Sequence, residues 1–181
     1  MSGRPRSIDR DKVLDAAETI VAQTGAAGLT FDAVARAAGI TKGGVQYCFG
    51  TKQQLIDAMI DRWCNAFDQD VADRVGPAPS PQDVIRGHLQ ATRDAKETDH
   101  SRAAVMMTAL LQSPDQVVAS RDWYNQRLAG LNLDDTADRR IALAFLAGEG
   151  AFLLKAFGLI GLDQPQWSRL FDDILKLAET K

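Results

Sequence analysis

The sequence predicts an all-α protein of about nine helices, a three-helix head followed by a larger helical body. Three observations carry this reading. Apolar residues recur at three- and four-residue spacing along nearly all of the 181-residue chain. No alternating apolar–polar run of strand length interrupts them. Helix caps and breakers stand between the apolar stretches, among them Thr51-Lys52-Gln53-Gln54, Gly76-Pro77-Ala78-Pro79 and Ser80-Pro81-Gln82-Asp83.

In order along the chain, the first helix covers about residues 9–24, with Val13, Ala16, Ala17, Ile20 and Val21 as its inner stripe and Gly25 as its stop. Phe31, Val34, Ala35 and Ala38 give a short second helix one apolar face, and Gly39 ends it. Thr41 then caps a third helix, while Ile40 can pack on Val45 as a hydrophobic staple. Thr51, with Gln54 three residues on, forms a capping box for a long fourth helix through Leu55, Met59, Trp63 and Phe67 towards Val75. The fifth opens with Pro81 at its first position, where the missing N–H costs nothing, and reaches about Lys96. Residues 97–101 read as a polar corner before a sixth helix over 102–112. Ser113-Pro114-Asp115-Gln116 opens a seventh to about Ala129, and 130–133 is a loop. An apolar eighth helix covers 135–160, with Gly161 as its stop. The ninth follows Pro165 and sets Trp167, Leu170, Phe171, Ile174, Leu175 and Ala178 along one side.

Composition narrows the function classes. Apolar residues make up 45% of the chain, enough for a packed core, and the formal net charge is −3. Residues 1–52 carry seven Lys/Arg against five Asp/Glu, whereas the remainder carries fourteen against nineteen. A slightly basic head on an acidic body suits local contact with DNA by the head alone. The N-terminal MSGRPRSIDR lacks the apolar run of a signal peptide, so a cytoplasmic location is expected. Residues 141–162 are apolar enough to suggest a membrane, but they include Glu149 and Lys155. Each charge near mid-span would cost about 2.5–3.5 kcal/mol, which favours a buried helix at a subunit interface.

The most informative stretch is 30–49, TFDAVARAAGITKGGVQYCF. Two short capped helices around a glycine turn are the frame of a helix-turn-helix, whose second helix enters the DNA major groove. The division expected is residues 1–52 as a DNA-binding domain and 53–181 as a helical ligand-binding and dimerisation domain. In the third helix the unpaired N–H groups of the first turn favour a phosphate. Gly43 and Gly44 each cost about 1 kcal/mol of helix propensity, explained by close approach to DNA or simply by a weak first turn. Lys42 and Lys52 can anchor phosphates, with hydroxyl contacts from Thr30 or Thr41. Gln46 can read adenine N6/N7, or be an ordinary solvated side chain. Tyr47 is expected against the DNA backbone, and Val45 and Phe49 in the core. Arg4 and Arg6 can enter a minor groove or belong to a frayed tail.

The order of features resembles the TetR/AcrR family of bacterial transcriptional regulators. The resemblance rests on residues 8–60: the helix ending in Gly25, Leu29-Thr30, AxxAGIxKG at 35–43, and the aromatic cluster before Lys52-Gln53-Gln54-Leu55. The chain departs from many members in carrying Gln46-Tyr47-Cys48-Phe49 where they place Tyr beside a second aromatic. The resemblance implies a homodimeric one-component regulator of a palindromic operator on double-stranded DNA, expected to be a ligand-responsive repressor. An activator of the same fold remains open, as does a helical ligand- or partner-binding protein with a merely structural helix-turn-helix.

In the body, candidates to line an effector site are Trp63, Phe67, His88, Leu89, Thr92, Met106, Met107, Leu110, Trp123, Tyr124, Phe145, Glu149 and Phe152. Aromatic and Met side chains around a few polar groups suit a small apolar or aromatic effector, and equally suit a helical core. Glu149, set in an apolar run, needs a partner or a proton if it is buried. Small residues Ala147, Gly148, Gly150, Ala151 and Gly158 would let a second helix approach closely, so the last two helices are expected to form a four-helix dimer interface. No catalytic residue, metal site or cofactor is expected. His88 and His100 lie twelve residues apart without metal-ligand spacing, and Cys48 and Cys64 form no motif.

Overall fold

The computed structural model describes residues 8–110 and 114–179, the side chains of Ala26 and Leu110 excepted. Among the described residues there are nine helices and no strand: α1 (Arg10–Gly28), α2 (Phe31–Ala38), α3 (Lys42–Phe49), α4 (Lys52–Val75), α5 (Pro81–Arg93), α6 (Glu97–Leu110), α7 (Pro114–Leu128), α8 (Thr136–Ala156) and α9 (Gln164–Leu177). They fall into two compact units, Met1–Arg62 and Trp63–Lys181, and the division lies inside α4.

In the first unit the caps at Gly39, Thr41 and Thr51 form as the sequence predicts, and Thr30 caps α2 besides. Thr30 accepts from the Ala33 N–H at 3.1 Å, and Thr41 accepts from the Gly44 N–H at 3.0 Å. Gly39 ends α2 in the left-handed conformation (φ 67°), its N–H turned back to the carbonyls of Ala35 and Arg36. α1 kinks at Gly25 (φ 67°, ψ −172°), the residue at which the helix is expected to stop. Thr51 and Gln54 close a reciprocal capping box at 3.0 and 3.1 Å. Val13, Ala17, Val21, Leu29, Val34, Val45, Phe49, Leu55 and Met59 are buried and make the core of this unit. At its edge Arg62 bridges Asp15 and Glu18 of α1.

The second unit is built on α5, α8 and α9, whose buried residues Ile85, Leu89, Ile141, Ala144, Phe145, Trp167, Phe171 and Ile174 form one cluster. Two boundaries differ from expectation. Residues 97–101 belong to the first turns of α6, because Asp99 reaches back to the Lys96 N–H at 2.8 Å and Glu97 and Asp99 suit the positive end of the helix. α8 ends at Ala156 instead of residue 160: Gly158 turns to φ 66°, and the Leu159 N–H bonds back to the Leu154 carbonyl at 2.9 Å. α7 is the outlier of the unit, since none of its residues is buried.

Candidate DNA interface and effector site

The helical pitch divides α3 into two sides. Lys42, Gly43, Gln46 and Tyr47 are exposed and contiguous, Tyr47 at 87%. Gly44, Val45 and Phe49 are buried on the opposite side. Gly44, expected among the DNA contacts, lies on the buried side. A Cβ there would lie 3.0 Å from Ile8 Cδ1 and 3.5 Å from Ile40 Cδ1, so its missing side chain serves packing within the unit. Gly43 has open space apart from Thr41 Oγ1 at 4.0 Å. Thr30, Thr41 and Lys52 are exposed. Both threonines spend an acceptor lone pair on their caps, which leaves each hydroxyl hydrogen to donate. Lys42 Nζ pairs with Asp32 Oδ2 at 2.8 Å, tying the first turn of α3 to that of α2. That contact had no signal in the sequence beyond the acidic residue itself. Arg4 and Arg6 lie outside the described residues.

The second unit gathers five of the expected effector residues around a sixth, Glu149. His88 Nε2–H donates to Glu149 Oε1 at 2.7 Å, and the Tyr124 hydroxyl donates to Oε2 at 2.6 Å. Rings enclose this pair: His88 lies 4.8 Å from Phe67, 4.9 Å from Phe145 and 5.7 Å from Trp123, with Tyr124 5.0 Å from Trp123. Burial pushes Glu149 up, but the hydrogen bond and charge of His88, the Tyr124 hydroxyl and the Arg127 charge outweigh it and hold the carboxyl below its ordinary range. Burial and the neighbouring Glu149 carboxylate both push the Tyr124 hydroxyl up, so it remains a donor. Sequence reasoning missed two members. Asp68 accepts from Trp123 Nε1–H at 3.2 Å and pairs with Arg127, whose guanidinium stacks 4.5 Å over the Trp123 ring. The four-residue spacing of Trp123 and Arg127 was the available signal.

Leu89 is fully buried in the α5–α8–α9 core, where a Cβ on Gly148 would meet its Cδ2 at 2.5 Å. Thr92 is also buried, and its hydroxyl is spent on the His88 carbonyl at 2.9 Å. Trp63 is buried, with Arg102 5.7 Å over its ring. Phe152 lies 5.1 Å from the ring of His100, a buried imidazole whose pKa burial and Lys155 push down. Met106 and Met107 are half-buried on α6, and the side chain of Leu110 lies outside those described. Among the described residues no group of three or more His, Cys, Asp or Glu could hold a metal ion, and no helix is long and apolar enough to cross a membrane.

Two capped helices with one exposed recognition side, joined to a separate helical unit, define the class: a helix-turn-helix DNA-binding regulator. Residues 82–179, more than half of the chain, match the family described as tetracyclin repressor-like, C-terminal domain, and residues 13–59 match bacterial regulatory proteins, tetR family. The chain belongs to the TetR family of transcriptional regulators. Among solved structures it is similar to a transcriptional regulator from Rhodococcus sp. RHA1, at 17% identity and a TM-score of 0.73 over 94% of this chain and 95% of that one. It is similar to the multidrug binding protein EbrR complexed with imidazole, at 23% identity and a TM-score of 0.68 over 99% and 96%. A third likeness is to the fatty acid degradation regulator FadR from Bacillus halodurans, at 14% identity and a TM-score of 0.66 over 94% and 97%. At these identities the likeness shows the fold. No curated protein matches the chain significantly.

Proposed function

We propose that the chain is a homodimeric, ligand-responsive repressor, acting in the cytoplasm on a palindromic operator. The observation that carries this reading is the exposed side of α3, where Lys42, Gly43, Gln46 and Tyr47 stand free of the core while Val45 and Phe49 anchor the helix. Lys42, Lys52 and the hydroxyls of Thr30 and Thr41 would hold phosphates, and Gln46 would read a base edge. Residues 1–62 then form the DNA-binding part, and the remainder binds the effector and the second subunit.

A dimer is supported by the outer side of α8. Leu143, Leu146, Ala147, Gly150, Leu154 and Phe157 lie within one narrow arc of the helix, and the four large side chains are exposed, Leu143 at 62%. Leu170 and Leu177 are likewise exposed on one side of α9. Of the small residues expected at such an interface, Ala147 is exposed and Gly150 has open space around it, whereas Gly148 packs inward on Leu89. A twofold partner would cover this apolar strip and set two recognition helices about 34–36 Å apart, one turn of DNA.

The effector would bind around Glu149 and bias α4, whose residues 52–62 belong to the first unit and 63–75 to the second. A hundredfold fall in operator affinity requires about 2.7 kcal/mol of preference for the non-binding state. The test is selection of bound duplexes from a random library at near-physiological salt. Enrichment of an inverted repeat is the expected result. A folded protein that enriches no sequence would leave the helix-turn-helix a structural element only.

A further inference from the structure

We propose that the cluster around Glu149 is a site for a lipophilic organic cation, and that the guanidinium of Arg127 is that cation's resident competitor. The inference rests on reading the second unit as an effector domain and adds the chemical class of the effector.

Charge and the surrounding aromatic rings argue for it together. The charged and titratable groups facing the cluster are Cys64 and Asp68 from α4, His88 from α5, Tyr124 and Arg127 from α7, and Glu149 from α8. Asp68 and Arg127 neutralise one another, which leaves the Glu149 carboxylate as the second anion inside a ring of aromatic side chains. That carboxylate accepts from His88 at 2.7 Å and from the Tyr124 hydroxyl at 2.6 Å. Aromatic faces attract cations through their quadrupoles, and the walls here are Phe67, Trp123, Tyr124 and Phe145. The site already demonstrates this affinity: one face of Trp123 is taken by Arg127 at 4.5 Å, and the Arg127 charge also reaches Glu149. His88 Nδ1 is buried with no hydrogen-bond partner, so the cluster is not closed on itself as a finished structural network would be.

Access follows from α7. It supplies Trp123, Tyr124 and Arg127, yet it buries none of its own residues. A cation arriving at Trp123 would displace Arg127 from the ring face, take Glu149 and Asp68 as counter-charges, and loosen the tie between α7 and the α4 carboxylate. An anion of the same size would meet two carboxylates with one guanidinium between them.

The experiment uses the full chain and two probes matched in size and shape but opposite in sign, tetraphenylphosphonium and tetraphenylborate, with benzyltrimethylammonium as a smaller cation. Calorimetry and tryptophan fluorescence read the binding. The expected result is saturable binding of tetraphenylphosphonium at least tenfold tighter than of tetraphenylborate. Glu149→Gln should weaken the phosphonium at least tenfold, and Arg127→Gln should strengthen it severalfold by freeing the Trp123 face. Helicity by circular dichroism checks that each variant folds; if Glu149→Gln does not, the opposite sign expected of Arg127→Gln still decides. Equal or tighter binding of the borate, weakening by Arg127→Gln, or no binding of either cation would overturn the assignment. Operator affinity, measured separately, keeps the two readings apart. Phosphonium that binds without changing operator affinity removes the effector role and leaves the cation site. An operator-binding protein that takes up neither cation removes the site and leaves the regulator.

Discussion

The Lys42–Asp32 ion pair shows how one residue serves structure and recognition in turn. Both side chains are more than half exposed, so the pair adds little to stability, and its interest lies in what Lys42 would exchange it for. If Lys42 holds a phosphate, Lys42→Ala weakens binding to every DNA sequence and lowers the salt slope by about one counterion. Asp32→Asn acts in the opposite direction, because the lysine no longer leaves a partner on binding. Titrating both variants at two salt concentrations checks this, and a loss confined to one base position would show that Lys42 reads sequence. Glu149 makes a second prediction at this scale. Its folded pKa lies below its ordinary value, so it contributes stability above pH 4.5 that is lost as pH falls through the lowered folded value. Glu149→Gln should cost on the order of 2 kcal/mol at pH 7, and the gap to the parent should narrow on acidification. Urea denaturation at neutral and acidic pH measures it, and a constant gap would mean that the carboxylate charge is not what matters.

Among the elements, α3 carries a trade between folding and recognition. Gly43 is exposed and unobstructed, so Gly43→Ala should add about 1 kcal/mol of helix propensity and raise Tm by about 2–4 °C. The same methyl should lower operator affinity if the backbone approaches DNA there. Thermal melts and DNA titration on one sample test both halves, and unchanged affinity would place the DNA farther from this turn. The short helices were legible in the sequence because caps are local chemistry: Gly39, Thr41 and Thr51 each act within four residues of themselves. The start of α6 was not legible, since an acidic first turn has the composition of a loop and is stabilised by the helix it opens. Nor was the end of α8, where Leu159 and Ile160 continue the apolar pattern after Gly158 has turned the backbone out of the helix. Glu149 stood out as a charge in an apolar run. Its bond to His88 spans 61 positions, and only packing reveals a contact of that kind. Asp68 and Arg127 escaped notice because paired charges have the same composition as solvated ones.

At the scale of the whole molecule, the proposed dimer rests on the exposed strip on α8 and α9. A charge in the middle of the strip should abolish association: Leu146→Glu is expected to run as a monomer in sedimentation and to lose operator affinity while keeping its helicity. A variant that stays dimeric would move the interface elsewhere. The attachment of α7 has a consequence on the time axis. α7 has no fully buried residue and is fastened through Asp68 and Glu149 and the half-buried Trp123, Tyr124 and Leu128, so its amides should exchange with deuterium before those of α5, α8 and α9. Fast exchange confined to α7, slowed when the interior is occupied, would make this helix the clock by which the protein samples its own interior.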